Sequence, residues 1–175
     1  MSDRGVFSKE GIDFGSRLLI DTVTLPSVDG DIVDVGCGYG PIGLALATLS
    51  TTRAIHMVDV NERALFLTKE NAKNNSIENV LVYQSDGLKE VTGSFAMVVT
   101  NPPIRAGKKI VHQIFEQAAD LLVDQGELWV VIQKKQGAPS AIEKLQQLFG
   151  SVDVVTKKKG YFILQAKKFD LTCLL

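Results

Sequence analysis

The run Asp31-Ile32-Val33-Asp34-Val35-Gly36-Cys37-Gly38-Tyr39-Gly40-Pro41 decides the fold. Its first five residues form a short, largely apolar segment of the kind expected for a strand buried on both faces. Three glycines at alternate positions predict a tight loop. Pro41 then fits the first position of a helix carrying Ile42, Leu44, Ala45, Leu46 and Leu49. Strand, glycine loop and helix in direct succession open a nucleotide-type βαβ unit.

Downstream, the alternation continues. A second strand, from about Arg53 to Val60, carries Asp59 at its end, about 20 residues after the glycines, where an acid that accepts from ribose hydroxyls is expected. Asn61 caps a helix with Ala64, Leu65, Thr68 and Ala72 on one face. A third strand, Val80 to Tyr83, leads to Ser85-Asp86-Gly87 and places Asp86 at another carboxyl end. A fourth, with Phe95, Met97, Val98 and Val99, runs into Thr100-Asn101-Pro102-Pro103-Ile104.

That turn carries the most specific chemistry. Pro102 biases Asn101 away from the helical region, and two prolines without N–H groups leave a stiff turn rich in acceptors. The Asn101 side-chain oxygen and the Pro102 carbonyl suit the two hydrogens of a substrate amine or amide whose nitrogen attacks an electrophile. Positioning of this kind is worth on the order of 7–11 kcal/mol in the best intramolecular cases.

The remainder predicts a loop with Arg105, Lys108 and Lys109, then an amphipathic helix through Ile110, Val111, Ile114, Phe115, Ala118 and Leu122. Gly126 precedes a strand from Leu128 to Ile132. A helix with Ile142, Leu145, Leu148 and Phe149 ends at Gly150. Strands Val152 to Val155 and Tyr161 to Leu164 follow, joined through Thr156-Lys157-Lys158-Lys159-Gly160 as a solvated hairpin. Ahead of the first strand, Gly11 to Ile20 ends as a helix expected to pack beside that strand, a packing that explains its apolar residues but leaves Lys9 and Asp13 open between a role and plain solvation.

Composition narrows the function. The 175 residues suffice for one domain with a full core, and 45 % hydrophobic with 22 % charged residues is a globular profile. A net charge of −1 gives no general pull towards nucleic acid, so an RNA partner must meet a local patch. The start Met1-Ser2-Asp3-Arg4 is not a signal peptide and no apolar run is long enough to span a membrane, which predicts a cytoplasmic location. Cys37 and Cys173 are expected as free thiols. Neither they nor His56 and His112 form a metal-binding spacing, so no metal is expected.

The glycine loop admits two cofactors. Gly38-x-Gly40-x-x-Gly43 matches a nicotinamide-binding pattern. Against a dehydrogenase stand the helical segment before the first strand, the lack of room for a substrate domain, and the absence of a hydride-transfer acid. Gly36-x-Gly38-x-Gly40 preceded by Asp34 fits a ligand that brings an amino acid to the loop. S-adenosyl-L-methionine is such a ligand.

Taken together, Asp34-Val-Gly-Cys-Gly-Tyr-Gly40, Asp59, Asp86 and Asn101-Pro-Pro-Ile104 resemble a class I S-adenosylmethionine-dependent methyltransferase. The opening Gly5-Val-Phe-Ser-Lys9 and Ile12-Asp-Phe-Gly-Ser-Arg-Leu-Leu19 is similar to the small-domain methyltransferase family that includes the 16S ribosomal RNA guanine-N2 methyltransferases of the RsmC type. The resemblance implies a Rossmann-like α/β fold in one domain, 1–175. It has a mostly parallel seven-stranded sheet, helices on both faces and an antiparallel C-terminal hairpin strand, with residues 1–22 as the N-terminal motif and helix. It places Asp34, Gly36, Gly38 and Gly40 at the methionine moiety, Asp59 and Val60 at the ribose, and Asp86 and Gly87 at the adenine. Asn101 meets cofactor and target nitrogen, with Pro102, Pro103 and Ile104 completing the catalytic turn.

Two departures stand out. Many amine methyltransferases have an aromatic residue after the two prolines to stack on the substrate, and here it is Ile104. Stacking on a base is worth ~1–3 kcal/mol, and Phe7, Phe14 and Tyr39 are the candidates to supply it. The chain also begins almost at Phe7-Ser8-Lys9, whereas such families carry a preceding segment, so a trimmed start is expected.

The substrate expected is the exocyclic amine of a guanine in small-subunit ribosomal RNA, flipped from its stack, with Lys9, Arg17, Arg105, Lys108 and Lys109 near the mouth. A protein glutamine amide fits the same acceptors, and a non-catalytic S-adenosylmethionine-binding module is the reading from another class.

Overall fold

Alternate residues of the central strands feed two separate cores. In β1 (Asp31–Val35) and β4 (Phe95–Thr100), Val33 and Val98 face one layer while Ile32 and Met97 face the other. Both sides are covered, which is why these strands read as nearly continuous apolar runs rather than as alternating ones. The computed structural model describes residues 11–103 and 105–170.

With β2 (Ile55–Asp59), β3 (Val80–Gln84), β5 (Leu122–Gln133), β6 (Val152–Lys158) and β7 (Tyr161–Lys167), they form one seven-stranded sheet ordered β3-β2-β1-β4-β5-β7-β6. Neighbours from β3 to β5 pair in parallel, and β7 runs antiparallel to both β5 and β6. This is the Rossmann-like α/β arrangement expected. Helices α1 (Phe14–Thr22), α2 (Pro41–Leu49) and α3 (Glu62–Asn74) cover one face, and α4 (Gly107–Leu121) and α5 (Ala138–Phe149) cover the other. The sheet order reverses beside β1, between β1 and β4, so the carboxyl ends of those two strands open a crevice where ligands bind in such folds.

Three local expectations change. Strand β5 starts at Leu122 rather than after Gly126, because Leu122 pairs with Phe95 while the backbone of Gln125 and Gly126 exchanges hydrogen bonds with Lys168. The hairpin turn is only Lys159-Gly160, both at positive φ (51° and 80°), so Thr156, Lys157 and Lys158 belong to the edge strand β6. Helix α1 does not lie beside β1. It packs on α2 and across β5 and β7, with buried Leu19 in the same core as Trp129, Val131 and Ile163. In that core the indole Nε1 of Trp129 donates to Glu127 Oε2 at 3.0 Å.

Candidate functional site

Register brings the glycine loop and the Asn101 turn together. Val35 pairs with Thr100, and the Thr100 hydroxyl donates to the Val35 carbonyl at 3.1 Å in the interior. Gly36 and Asn101 are therefore the next residues on adjacent strands, about 5 Å apart in the pairing direction. Asp59 ends the strand on the other side of β1.

The loop is held in place by side chains from two elements, β2 and α3. Asp59 Oδ2 accepts from the Gly38 N–H at 2.9 Å, and its Oδ1 accepts from Asn61 N–H at 2.9 Å. From α3, Thr68 donates to the Gly38 carbonyl at 2.8 Å and Asn71 to the Tyr39 carbonyl at 2.9 Å. Tyr39 in turn donates its hydroxyl proton to the Gly11 carbonyl. Gly36 and Gly38 have positive φ (70° and 58°), and a β-carbon at either would meet nothing within 4 Å, so open space lies over the loop. Gly43 plays another part: a β-carbon there would lie 2.6 Å from Met57 Cε, so it permits close contact of α2 with the sheet.

Asp34 lies beneath this loop. Its Oδ2 accepts from Gly43 N–H at 2.9 Å, while Oδ1 is buried with no hydrogen-bond partner among the described residues. Burial pushes its pKa up to about 7; the Gly43 N–H opposes the rise, and the neighbouring Asp59 charge adds to it. A half-satisfied carboxyl under an open glycine loop fits a cationic group above it, as an amino-acid ammonium is. Cys37, also in the loop, is a buried free thiol whose pKa burial drives upward, which makes it unreactive.

The other expected cofactor residues lie along the same sheet edge. Val60, 58 % exposed, presents an apolar surface beside Asp59 and is fixed by Gln84, which donates to its carbonyl at 2.9 Å. Asp86 is largely exposed and its carboxylate meets Lys89 Nζ at 2.8 Å, so a ligand there must share it. Gly87, at φ 58°, lies against Gln117: a β-carbon would come 2.8 Å from its Oε1.

At Asn101 the structure brings in Asp13, whose role the sequence leaves open, together with its neighbour Ser16. Asp13 caps α1, accepting from Ser16 N–H at 2.9 Å and from the Ser16 hydroxyl at 2.8 Å. With its proton committed to Asp13, Ser16 Oγ accepts from Asn101 Nδ2 at 2.9 Å, and Asp13 Oδ1 lies 3.4 Å from the same nitrogen. This network assigns the amide orientation and leaves the Asn101 side-chain oxygen as the acceptor. Gly15 completes the Asp13-Phe-Gly-Ser16 motif, since a β-carbon there would press within 2.8 Å of the Tyr161 ring.

A pocket of about 380 Å³ opens here, lined by Asp13, Asn101, Pro102, Pro103, Ile132, Gln133, Gln136 and Tyr161. Strand β5 continues three residues past Val130, the partner of Thr100, and β7 starts alongside it, so Gln133 and Tyr161 build the wall beyond Asn101. Gln133 Oε1 is buried without a partner among the described residues. The aromatic side chain at this pocket is Tyr161, with Phe14 behind it at 5.4 Å between ring centroids; Tyr39 belongs to the glycine loop instead. Phe7 and Ile104 lie outside the described residues. Only long-range register brings Tyr161 here, so no local signal could have found it.

Among the described residues no cluster of His, Cys, Asp or Glu could hold a metal ion, and no helix is long and apolar enough to cross a membrane. Arg105, Lys108 and Lys109 are exposed around the start of α4.

The chain is 64 % identical over 169 residues to the uncharacterized protein YbxB of Bacillus subtilis, covering 95 % of this chain and 84 % of that one. It is 33 % identical to ribosomal RNA small subunit methyltransferase C of Vibrio cholerae over 94 % of this chain and 48 % of that one, about half the relative's length. Among solved structures, the T. thermophilus 16S rRNA N2 methyltransferase RsmC in complex with AdoMet and guanosine shares the fold. Its TM-score is 0.78 at 23 % identity, over 93 % of this chain and 45 % of that one. The methyltransferase small domain family matches residues 1–165. The chain belongs to that family.

Proposed function

We propose that this S-adenosylmethionine-dependent methyltransferase methylates the exocyclic N2 amine of a guanine in 16S ribosomal RNA, in the cytoplasm. The observation that carries the reading is the Asn101 amide, anchored through Nδ2 to Ser16 so that its oxygen is the acceptor beside a pocket with apolar and amide walls. The RsmC relatives supply the substrate class.

The bound cofactor supplies an electrophilic methyl group. Asp34 provides negative potential beneath its ammonium, Gly36 and Gly38 admit the methionine portion while Gly40, whose β-carbon would meet Leu44, Met57 and Thr68, lets the loop close on the core, Asp59 and Val60 meet the ribose, and Asp86 and Gly87 the adenine. Asn101 Oδ1 and the Pro102 carbonyl accept the two hydrogens of the target nitrogen and turn its lone pair towards the methyl carbon. Held there, the nitrogen would form its N–C bond as the methyl group's C–S bond breaks, and the proton it sheds would pass to solvent through the pocket mouth. Tyr161 takes the stacking place, and the Gln133 amide has the donor and acceptor needed to pair with a base edge.

The test is incubation of the protein with methyl-labelled S-adenosylmethionine and an extract of cells lacking it, followed by separation of RNA from protein. Label recovered as N2-methylguanosine in small-subunit RNA is expected. Label in protein glutamine instead would overturn the RNA assignment. Asn101→Ala should retain cofactor binding while transfer collapses, and equal loss of both would remove the role given to Asn101.

A further inference from the structure

The triple-lysine hairpin is not remote from the site. Its tip is tied to the pocket wall, because Lys134 N–H donates to the Gly160 carbonyl at 2.9 Å. Across the three strands, Gln133, Tyr161 and Lys158 are successive register partners. They therefore project to one face of the sheet, and Gln133 and Tyr161 already line the pocket. Lys159 Nζ sits 4.9 Å over the Phe14 ring, which backs Tyr161. Lys134 and Lys135 leave the end of β5 just before Gln136, another lining residue. Lys157 differs, lying 4.7 Å over Phe162 on the opposite face.

The acid at this pocket among the described residues is Asp13, whose carboxylate is engaged by Ser16. Lys134, Lys135, Lys158 and Lys159 are exposed, and none has an ion-pair partner among the described residues, where Lys89 and Lys144 do. No Asp or Glu occurs from 128 to 142 or from 154 to 169. In a chain of net charge −1, that is a segregation of positive charge onto one rim. Flexible ammonium groups at a pocket mouth, with no sequence-reading geometry of their own, suit the repeated phosphates of a nucleic-acid backbone.

We propose that Lys134, Lys135, Lys158 and Lys159 form a docking rim for the RNA backbone, gripping phosphates that flank the nucleotide entering the Asn101 pocket. This deepens the function proposed above and rests on its RNA substrate. The rim accounts for how a chain without overall positive charge engages a polyanion.

The experiment compares wild type with K134A/K135A/K158A/K159A and with a control, K69A/K73A, on the exposed face of α3. Each is titrated with deproteinised, unmethylated small-subunit ribosomal RNA over a range of salt, alongside S-adenosylmethionine binding and melting temperature. Removing one lysine that neutralises a phosphate should reduce the slope of log affinity against log salt by about 0.7, so the slope of the rim variant should fall by roughly two to three. Cofactor affinity and melting temperature should stay at wild-type values in that variant, and the control should bind RNA as wild type does. If wild type methylates RNA but the rim variant keeps its slope, or the control weakens as much, the docking rim is overturned and the RNA reading stands. If wild type labels protein and shows no salt-dependent RNA binding, both fall.

Discussion

Asn101 Nδ2 donates to Ser16 Oγ at 2.9 Å, joining the Asn-Pro-Pro turn to the first turn of a helix 85 positions earlier. Because Ser16 passes its own proton to Asp13, it can only accept from Asn101, and the amide cannot flip without losing that bond. Ser16→Ala should therefore lower the rate of methyl transfer about 10- to 100-fold, the effect of a misoriented acceptor, while the cofactor dissociation constant changes less than about twofold. Single-turnover kinetics beside a cofactor titration checks this. Asp13→Ala should match that loss and also cost about 1 kcal/mol of stability through the missing helix cap.

Gln133 offers an amide at the pocket wall whose oxygen has no partner among the described residues. Gln133→Met keeps the side-chain length and removes both polar atoms. It should stabilise the protein slightly, since an unpaired buried polar atom costs about 1–3 kcal/mol. It should also lower kcat/KM for RNA about tenfold without altering cofactor affinity. Steady-state kinetics with varied RNA tests the second effect and thermal melting the first.

Asp34 links pH to stability. Its pKa rises from 3.8 in the unfolded chain to about 7 on folding, mainly through burial. The folded state holds the proton more tightly, so this contribution to stability is complete below the unfolded value and is lost as pH climbs through about 7. Without cofactor, the difference in melting temperature between wild type and Asp34→Asn should shift against wild type from about pH 5 to about pH 8. A constant difference would sink the linkage. A cofactor ammonium favours the ionised carboxyl, so wild-type cofactor affinity should rise over the same range and that of Asp34→Asn should not.

Gly43 marks where α2 meets the sheet. A β-carbon there would lie 2.6 Å from Met57 Cε and 2.9 Å from its Cγ and Sδ. Gly43→Ala should cost about 1–3 kcal/mol by overpacking, a fall in melting temperature of roughly 3–10 °C for a chain of this size. In a Met57→Ala background the cost of Gly43→Ala should shrink, and a double-mutant cycle that shows strict additivity would exclude the contact.

What the amino-acid order discloses depends on how local the determining contacts are. The unit from Asp31 to Leu49 is legible because apolar residues, glycines and Pro41 act within a few positions of one another. The hairpin turn reads as longer than it is because β6 is an edge strand, and Thr156, Lys157 and Lys158 carry little of the apolar alternation that reveals a strand. The early start of β5 is hidden because Asp124-Gln125-Gly126 has turn composition, and only the backbone of Lys168 draws it into pairing. At the site, Asn101 announces itself through its prolines. Asp13 and Ser16 belong to a motif the sequence shows, but their place at Asn101 comes from the packing of α1 across β5 and β7, and Gln133 and Tyr161 meet only through strand register.

The buried indole of Trp129 has an experimental consequence. It is the only tryptophan in the sequence, it is held by Glu127, and it shares its core with Leu19 of α1. The protein thus contains its own fluorophore, placed beneath the helix that orients Asn101. Emission should be blue-shifted while α1 is seated and move to the red as that helix lifts, so seating of the Asn101 amide can be followed by light, without a label and in real time.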